Sequence, residues 1–169
     1  MEEYLILDGY NVINSWPELK LLLDESLEIA RDELIELMAE YRAFKDINVI
    51  IVFDAYLVKG NMGTKEMIKG VEVVFTEELR TADCYIERLI IELSKENRVA
   101  VVTDDRTEQQ MILGSGATRI SVREMAAMFD QIKNEISEEI EVNKVQKNTL
   151  SDAIDVLVLK RLEKMRRGH

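Results

Sequence analysis

The stretch LILDGYN, residues 5–11, joins a short apolar run to a carboxylate, a glycine and an amide. Short runs of this kind, rich in valine and isoleucine, recur at 48–54, 71–75, 99–104 and 118–122. Such runs are typical of strands that are buried on both faces of a parallel sheet. Two of the later runs end in aspartate, at Asp54 and Asp104, as LILD does at Asp8. The sequence therefore predicts several parallel strands with carboxylates at their C-terminal ends.

Helical patterns separate these runs and define the fold class. Apolar residues recur at three- and four-residue steps in 27–44 and 81–97, and a first, short helix is predicted near Trp16. The alternation of strands and helices predicts an α/β fold of three layers, α/β/α, around a mainly parallel sheet of about five strands. The polar segment 134–148 predicts a break before a last helix at 150–167. We therefore expect one domain at 1–133, followed by a helical extension at 134–169 that packs on the domain or on a partner.

Composition excludes several classes of protein. The 169 residues are 47% hydrophobic, which predicts a packed globule, and no apolar run approaches the length of a membrane helix. One cysteine, Cys84, excludes an intramolecular disulfide and favours a cytoplasmic location. The only histidine is His169, so histidine-based acid–base chemistry is not expected. A net charge of −11 argues against a broad basic face for nucleic acid.

Carboxylates at the strand ends predict a metal site. Because the C-terminal ends of parallel strands share one edge, Asp8, Asp54 and Asp104 are expected to converge in one crevice. Further acids adjoin this edge in the predicted fold: Asp83, Glu87 and Asp105. Clustered carboxylates repel one another unless some are protonated or a cation holds them together. Oxygen ligands without Cys or His favour Mg²⁺ or Mn²⁺, and such a site suits phosphodiester cleavage.

These acids also have structural explanations. Asp8 with Gly9 is a common turn pair, and the helix dipole favours an acid such as Asp83 in a first turn. Asp105 and Glu108 have the spacing of a capping box, which predicts a structural role for Asp105.

Four motifs, in order, resemble the NYN-domain nucleases of the PIN-like superfamily, and among them the YacP-like branch. They are ILDGYNVI (6–13), VFDA (52–55), TADCYIE (81–87) and VVTDD (101–105). The resemblance covers residues 4 to about 130 and is expected to extend to the C-terminus. It depends on the order of the four motifs, because DGYN alone would not be specific.

The resemblance implies a PIN-like sandwich whose acidic pocket binds Mg²⁺ or Mn²⁺ and cleaves RNA endonucleolytically. It implies that Asp8, Asp83 and Asp104 are catalytic metal ligands and that Asn11 is their catalytic polar neighbour. Further metal-binding candidates occupy acidic positions of the motifs: Asp54, Asp105 and Glu87. The YacP-like branch also implies mRNA decay on translating ribosomes, with RNA rather than DNA as substrate and no membrane partner.

Cations near the motifs are candidates for RNA binding: Lys59, Lys65, Lys69, Arg80 and Arg106. The segment 59–70 contains three glycines and three lysines, which predicts a mobile loop that engages the substrate. A solvated connector is an equal alternative. The tail 160–169 carries five basic residues and one acid, so it is either an RNA- or ribosome-binding surface or a complement to its helix dipole.

Two other functions remain as alternatives. Asp8 could accept a phosphoryl group in a phosphatase or a receiver domain, but Tyr10 stands where such a phosphatase carries its second acid. The segment ISVRE, 120–124, also lacks the lysine of a receiver domain. A catalytically inactive RNA- or ribosome-binding module on the same fold is the other alternative, and divalent-metal binding would discriminate it from an enzyme.

Overall fold

Strands and helices alternate along the chain in a computed structural model that describes residues 1–55 and 59–167. The elements are β1 (Glu3–Asp8), α1 (Gly9–Ser15), α2 (Pro17–Leu23), α3 (Leu27–Lys45), β2 (Asn48–Phe53), β3 (Thr64–Ile68), β4 (Val71–Phe75), α4 (Ala82–Leu93), β5 (Arg98–Val102), α5 (Arg106–Leu113), β6 (Thr118–Ile120) and α6 (Val122–Arg167). His169 and the rest of the tail beyond 167 lie outside the described residues.

The six strands form one sheet in the order β3-β4-β2-β1-β5-β6. All neighbours are parallel except β3, which is antiparallel to β4. β1 lies at the centre, where Ile6 pairs with Ile50 of β2 and with Val101 of β5. The strands β2, β3 and β4 lie on one side of β1, and the later strands β5 and β6 lie on the other side. Such a reversal of strand order opens a crevice at the C-terminal strand ends, here between β1 and β5.

Helices cover both faces of this sheet, which confirms the predicted α/β architecture. On one face, α4 and α5 bury a cluster of strand residues against their own apolar side chains: Ile6, Ile50, Val52, Val74, Val101, Ile86, Ile90 and Ile112. On the other face, the ring of Phe53 contacts Tyr10 of α1 with centroids 5.1 Å apart, and Arg31 of α3 lies over Phe75. Trp16 joins this side of the core, with its ring 6.1 Å from that of Phe129 in α6.

The strand β3 is an addition to the five strands that the sequence predicts. It occupies much of the segment 59–70, so the prediction of a loop there is wrong for residues Thr64–Ile68. This strand is at the sheet edge, pairs with β4 and is largely exposed. An edge strand of this kind buries little apolar surface, so its sequence, TKEMI, carries no apolar signal.

The short helix predicted to start near Trp16 is confirmed as α2, which begins at Pro17 with Trp16 as its N-cap, and α1 is an additional helix before it. Gly9 is already the first residue of α1, so DGYN is a strand-to-helix junction rather than a turn. A Cβ atom at Gly9 would lie 2.4 Å from two ring carbons of Phe53, which is fully buried. Glycine is therefore required here because the Phe53 ring packs directly on the backbone that follows β1.

The predicted break at 134–148 is wrong, since α6 runs without interruption from Val122 to Arg167. This polar segment contains no glycine or proline and has four Glu and two Lys, which are good helix formers. The chain divides into two compact units, Met1–Phe129 and Asp130–His169. No helix within the described ranges, α6 included, is both long and apolar enough to cross a membrane.

We expect Gly9→Ala to destabilise the protein by about 1–3 kcal/mol, because the new methyl group overlaps the buried Phe53 ring. Urea denaturation measures this change. Gly114→Ala is the matched control: no atom lies within 4 Å of a Cβ there, and the backbone φ is −93°. Equal stability of the two variants would contradict the packing of Phe53 on Gly9.

Candidate metal centre

Three carboxylates meet at the C-terminal edge of the sheet. Asp8 ends β1, Asp83 lies in the first turn of α4, and Glu108 lies in the first turn of α5. One carboxylate oxygen from each of the three lies within 4.8 Å of the others. Asp8 is 9% exposed and Glu108 only 1%. We call these three residues the acidic trio.

Helix caps place Asp83. The hydroxyl oxygen of Thr81 accepts the backbone N–H of Cys84 at 3.3 Å, which starts α4 as its sequence predicts. Asp54, at the end of β2, accepts the backbone N–H of Ala82 through Oδ2, also at 3.3 Å. Asp54 therefore fixes the start of the helix that carries Asp83, and it is not a member of the trio.

A second cap places Glu108. Asp105 accepts the backbone N–H of Thr107 at 2.8 Å and is the N-cap of α5. The capping role predicted for Asp105 is confirmed, but Glu108 is not its reciprocal partner. The backbone N–H of Asp105 donates instead to the hydroxyl of Thr103 at 3.0 Å. Glu108 is thus free to turn inward toward Asp8.

Asn11 and Asp104 connect the elements around the trio. The side-chain oxygen of Asn11 accepts the backbone N–H of Asp104 at 2.9 Å, so α1 is tied to the segment that follows β5. The carboxylate of Asp104 accepts from the backbone N–H of Val122 at 3.0 Å and pairs with Arg119 at 3.4 Å. Asp104 is exposed and lies outside the trio, as does the exposed Glu87.

Burial and mutual repulsion disfavour three ionised groups at this edge. Burial, followed by the charge of Asp83, raises the pKa of Asp8 to about 6, and hydrogen bonding with the Glu108 side chain and with the backbone N–H of Asn11 acts in the opposite direction. Burial, followed by the charge of Asp8, raises the pKa of Glu108 to about 9. Ionisation of all three carboxylates is thus unfavourable unless a positive charge is added between them.

The residues fit a divalent cation. Both side-chain oxygens of Glu108 are shielded from solvent, and neither has a partner at hydrogen-bonding geometry among the described residues. Buried polar atoms are nearly always satisfied, so these oxygens require either a proton shared with a neighbouring carboxylate such as Asp8 or a cation. A cation would satisfy both oxygens and would relieve the repulsion from Asp8. The all-oxygen donor set suits Mg²⁺ or Mn²⁺.

The five candidate cations have varied environments. Lys65 pairs with Glu72 at 2.9 Å, Lys69 pairs with Glu36, and Arg80 pairs with Glu77 at 3.1 Å. Lys59 and Arg106 are exposed. Arg106 is the first residue of α5, next to the Asp105 cap and within the same helix as Glu108.

Sequence reasoning missed Glu108, which it assigned to a capping box. A signal was present, because α5 begins at the same sheet edge as α4 and Glu108 lies in its first turn, as Asp83 does in α4. The same argument that selected Asp83 selects Glu108 once the helix start is placed at Arg106.

The fold and the acidic edge together are those of a nuclease-type domain of the NYN class. Residues 5–167 match the YacP-like NYN domain, and the chain belongs to that family, which confirms the resemblance of the four motifs. It is 43% identical to the uncharacterized protein YacP of Bacillus subtilis (strain 168) over 167 residues, 98% of each chain.

Two solved structures share the fold. The crystal structure of Rae1 (YacP) from Bacillus subtilis is 43% identical, with a TM-score of 0.71, and the match covers 98% of this chain and 95% of that one. The crystal structure of a mutant of Rae1, in which one tryptophan is replaced by leucine, is 41% identical with a TM-score of 0.70. That match covers 82% of this chain and 80% of the mutant chain.

At a pH above the Glu108 pKa of about 9, where this carboxyl is ionised, we expect Glu108→Gln to raise the stability of the metal-free protein by about 1–2 kcal/mol, because it removes a buried charge at nearly constant size. The same substitution should abolish stabilisation by Mn²⁺, which binds the folded state only. Thermal unfolding with EDTA and with Mn²⁺ measures both effects. The matched control is Glu33→Gln, at an exposed position of α3. An equal response of Glu108→Gln and wild type to Mn²⁺ would contradict the assignment.

Proposed function

We propose that this protein is a metal-dependent endoribonuclease that cleaves phosphodiester bonds of RNA. The observation that carries the proposal is the acidic trio, in which neither buried oxygen of Glu108 has a partner at hydrogen-bonding geometry among the described residues. Membership in an NYN family supports a nuclease, and the all-oxygen donor set supports Mg²⁺ or Mn²⁺ as the cofactor.

In this proposal Asp8, Asp83 and Glu108 hold the metal. When bound, the metal supplies an activated water and neutralises charge that develops on the phosphate. Asp8 is anchored by the central strand, and the two helix-borne acids are oriented by caps on the protein backbone. The donor groups are therefore held in place before a substrate arrives, which is the condition for electrostatic stabilisation of a transition state.

The helices that carry two of these acids also favour an anionic substrate. The N-termini of α4 and α5 both adjoin the trio, because Asp83 and Glu108 are first-turn residues. The N-terminal end of a helix attracts phosphate through its dipole and its free backbone N–H groups. Exposed Arg106 and Lys59 add positive charge in a protein whose net charge is −11.

The remaining residues of the motifs receive positioning roles in this proposal. Asn11 holds the segment after β5 through the Asp104 backbone, and Asp54 holds the start of α4. Asp104 organises the start of α6 through Val122 and Arg119. Asp54 acts on the trio through the backbone that carries Asp83, and Asn11 through the segment that leads into α5, whereas the carboxylate of Asp104 fixes the start of α6.

The resemblance to the YacP-like branch extends the proposal to the substrate. We infer that the RNA is mRNA undergoing translation, so that the ribosome is a partner and the cytoplasm is the location. The family match supports this extension. Residues 134–169, with the basic end of α6, are then the extension available to contact the domain or a partner.

Replacing Asp8 or Asp83 by Asn should lower RNA cleavage in Mn²⁺ by about 100-fold or more, because each change removes a charged metal ligand. End-labelled RNA resolved on a denaturing gel measures the rate. Asp32→Asn, at an exposed position of α3, is the matched control and should cleave as wild type does. Undiminished cleavage by both trio variants would refute the site. RNA binding without any cleavage by wild type would favour the inactive module.

Mapping of cleaved ends tests the link with translation. Cuts by wild type should appear in a translated mRNA and should be absent when its start codon is disrupted, and Asp83→Asn should produce none in either. Equal cutting of translated and untranslated mRNA would reject the ribosome as a requirement while leaving the nuclease assignment intact.

A further inference from the structure

A cavity of about 220 Å³ lies between the edge strand β3 and the helix α4. Lys65 and Val74 line it from the sheet, and Arg80 and Tyr85 line it from the start of α4. Arg80 comes three residues before Asp83 in the sequence, and Tyr85 comes two residues after it. Tyr85 and Asp83 thus belong to the same first turn of α4 but point to different sides of it, and none of the trio residues lines the cavity.

Hydrogen bonds fix the rim of this cavity. The side-chain amide of Asn61 donates to the backbone oxygens of Ala55 at 3.3 Å and Thr76 at 2.8 Å. Its side-chain oxygen accepts the backbone N–H of Gly63 at 2.9 Å. Gly63 has a φ of +76°, and a Cβ there would lie 3.2 Å from the backbone oxygen of Phe75. The loop before β3 is therefore bound to the ends of β2 and β4, and the cavity is preformed.

The lining combines an aromatic ring with positive charge. Tyr85 is half-buried, packs against the apolar cluster under α4, and also lines the cavity. The cations of the lining are Lys65 and Arg80, which form exposed ion pairs with Glu72 and Glu77, so a phosphate would exchange with these carboxylates. A smaller cavity of about 120 Å³ continues along α4, shares Arg80 and Tyr85, and adds Arg88 and Glu92. A ring flanked by several cations is suited to an unstacked base and its phosphates.

The surroundings of the cavity also expose apolar surface. Met62, in its lining, is 89% exposed, and Leu79, beside Arg80, is 87% exposed. Leu79 adopts a φ of +67°, which is unfavourable for a leucine, and it nevertheless projects into solvent rather than into the core. Exposed apolar side chains beside this cavity give additional surface on which bases can lie.

We propose that this cavity is a nucleotide subsite for single-stranded RNA. Tyr85 stacks on the base of a nucleotide that flanks the scissile phosphate, and Arg80 and Lys65 bind its backbone phosphates. This inference rests on the proposed function for the identity of the ligand, since the acidic trio adjoins the same turn of α4. It adds residues that hold the strand and that act independently of the metal.

Binding of a short, fluorescently labelled single-stranded RNA in EDTA tests the subsite without cleavage. Fluorescence anisotropy should show binding by wild type, and Tyr85→Leu should weaken it by about 5- to 100-fold, as expected for one lost stacking contact. Tyr85→Phe keeps the ring and should bind within about twofold of wild type. Thermal unfolding of each variant establishes that it is folded.

Arg80→Gln should weaken binding and reduce the slope of log affinity against log salt by about one, as for a lost phosphate contact. Arg98→Gln is the matched control: Arg98 is exposed at the N-terminal end of β5, the opposite edge of the sheet, and its removal should leave affinity unchanged.

The outcomes separate the subsite from the nuclease assignment. Absence of RNA binding by wild type, or wild-type affinity in folded Tyr85→Leu and Arg80→Gln, would overturn the subsite. RNA cleavage that depends on the trio would still support the proposed function in that case. Conversely, Tyr85-dependent binding by a wild-type protein that cleaves no RNA would support the subsite and reject the nuclease.

Discussion

The burial of three carboxylates at one sheet edge is the constraint on which the rest of this structure depends. Asp8, Asp83 and Glu108 repel one another, and solvent does not reach the oxygens of Glu108. A fold holds such a group together only if other contacts determine the backbone around it. Here the central strand, two helix caps and the amide of Asn11 supply those contacts. The stability of the fold is thus used to hold an arrangement that is unfavourable without a cation.

The packing of the core also determines the geometry of the site. Phe53 fills one face of the sheet and packs on Gly9, and this contact allows α1 to begin immediately after Asp8. Because α1 begins there, Asn11 lies close enough to accept the backbone N–H of Asp104, in the segment that follows the neighbouring strand β5. The Phe53 ring and Gly9 therefore determine where the hydrogen bond between Asn11 and Asp104 forms. Residues of the core and residues of the site cannot be varied independently at this junction.

Much of the fold could be predicted from the sequence because β1, β2, β4 and β5 are mostly buried and the helices are amphipathic, whereas β6, predicted as a buried strand, is largely exposed. The five apolar runs all became strands, and the convergence of Asp8 with Asp83 followed from the parallel arrangement. The strand β3 could not be predicted, since an exposed edge strand has no apolar pattern. The inward turn of Glu108 depends on the Thr103 hydroxyl, which takes the donor that a capping box would use. The spacing of residues in the sequence does not show which of two nearby acceptors will bind a given backbone N–H.

The contact between Trp16 and Phe129 has a consequence for how the chain can be divided. Trp16 is the only tryptophan and is 4% exposed, and Phe129, the last residue of the N-terminal unit, is 3% exposed. The first two turns of α6 are thus part of the N-terminal core, although the helix continues far beyond it. The intrinsic fluorescence of Trp16 therefore reports whether the beginning of α6 is packed against the N-terminal core. A truncation that removes Phe129 would uncover the indole and shift its emission to longer wavelength.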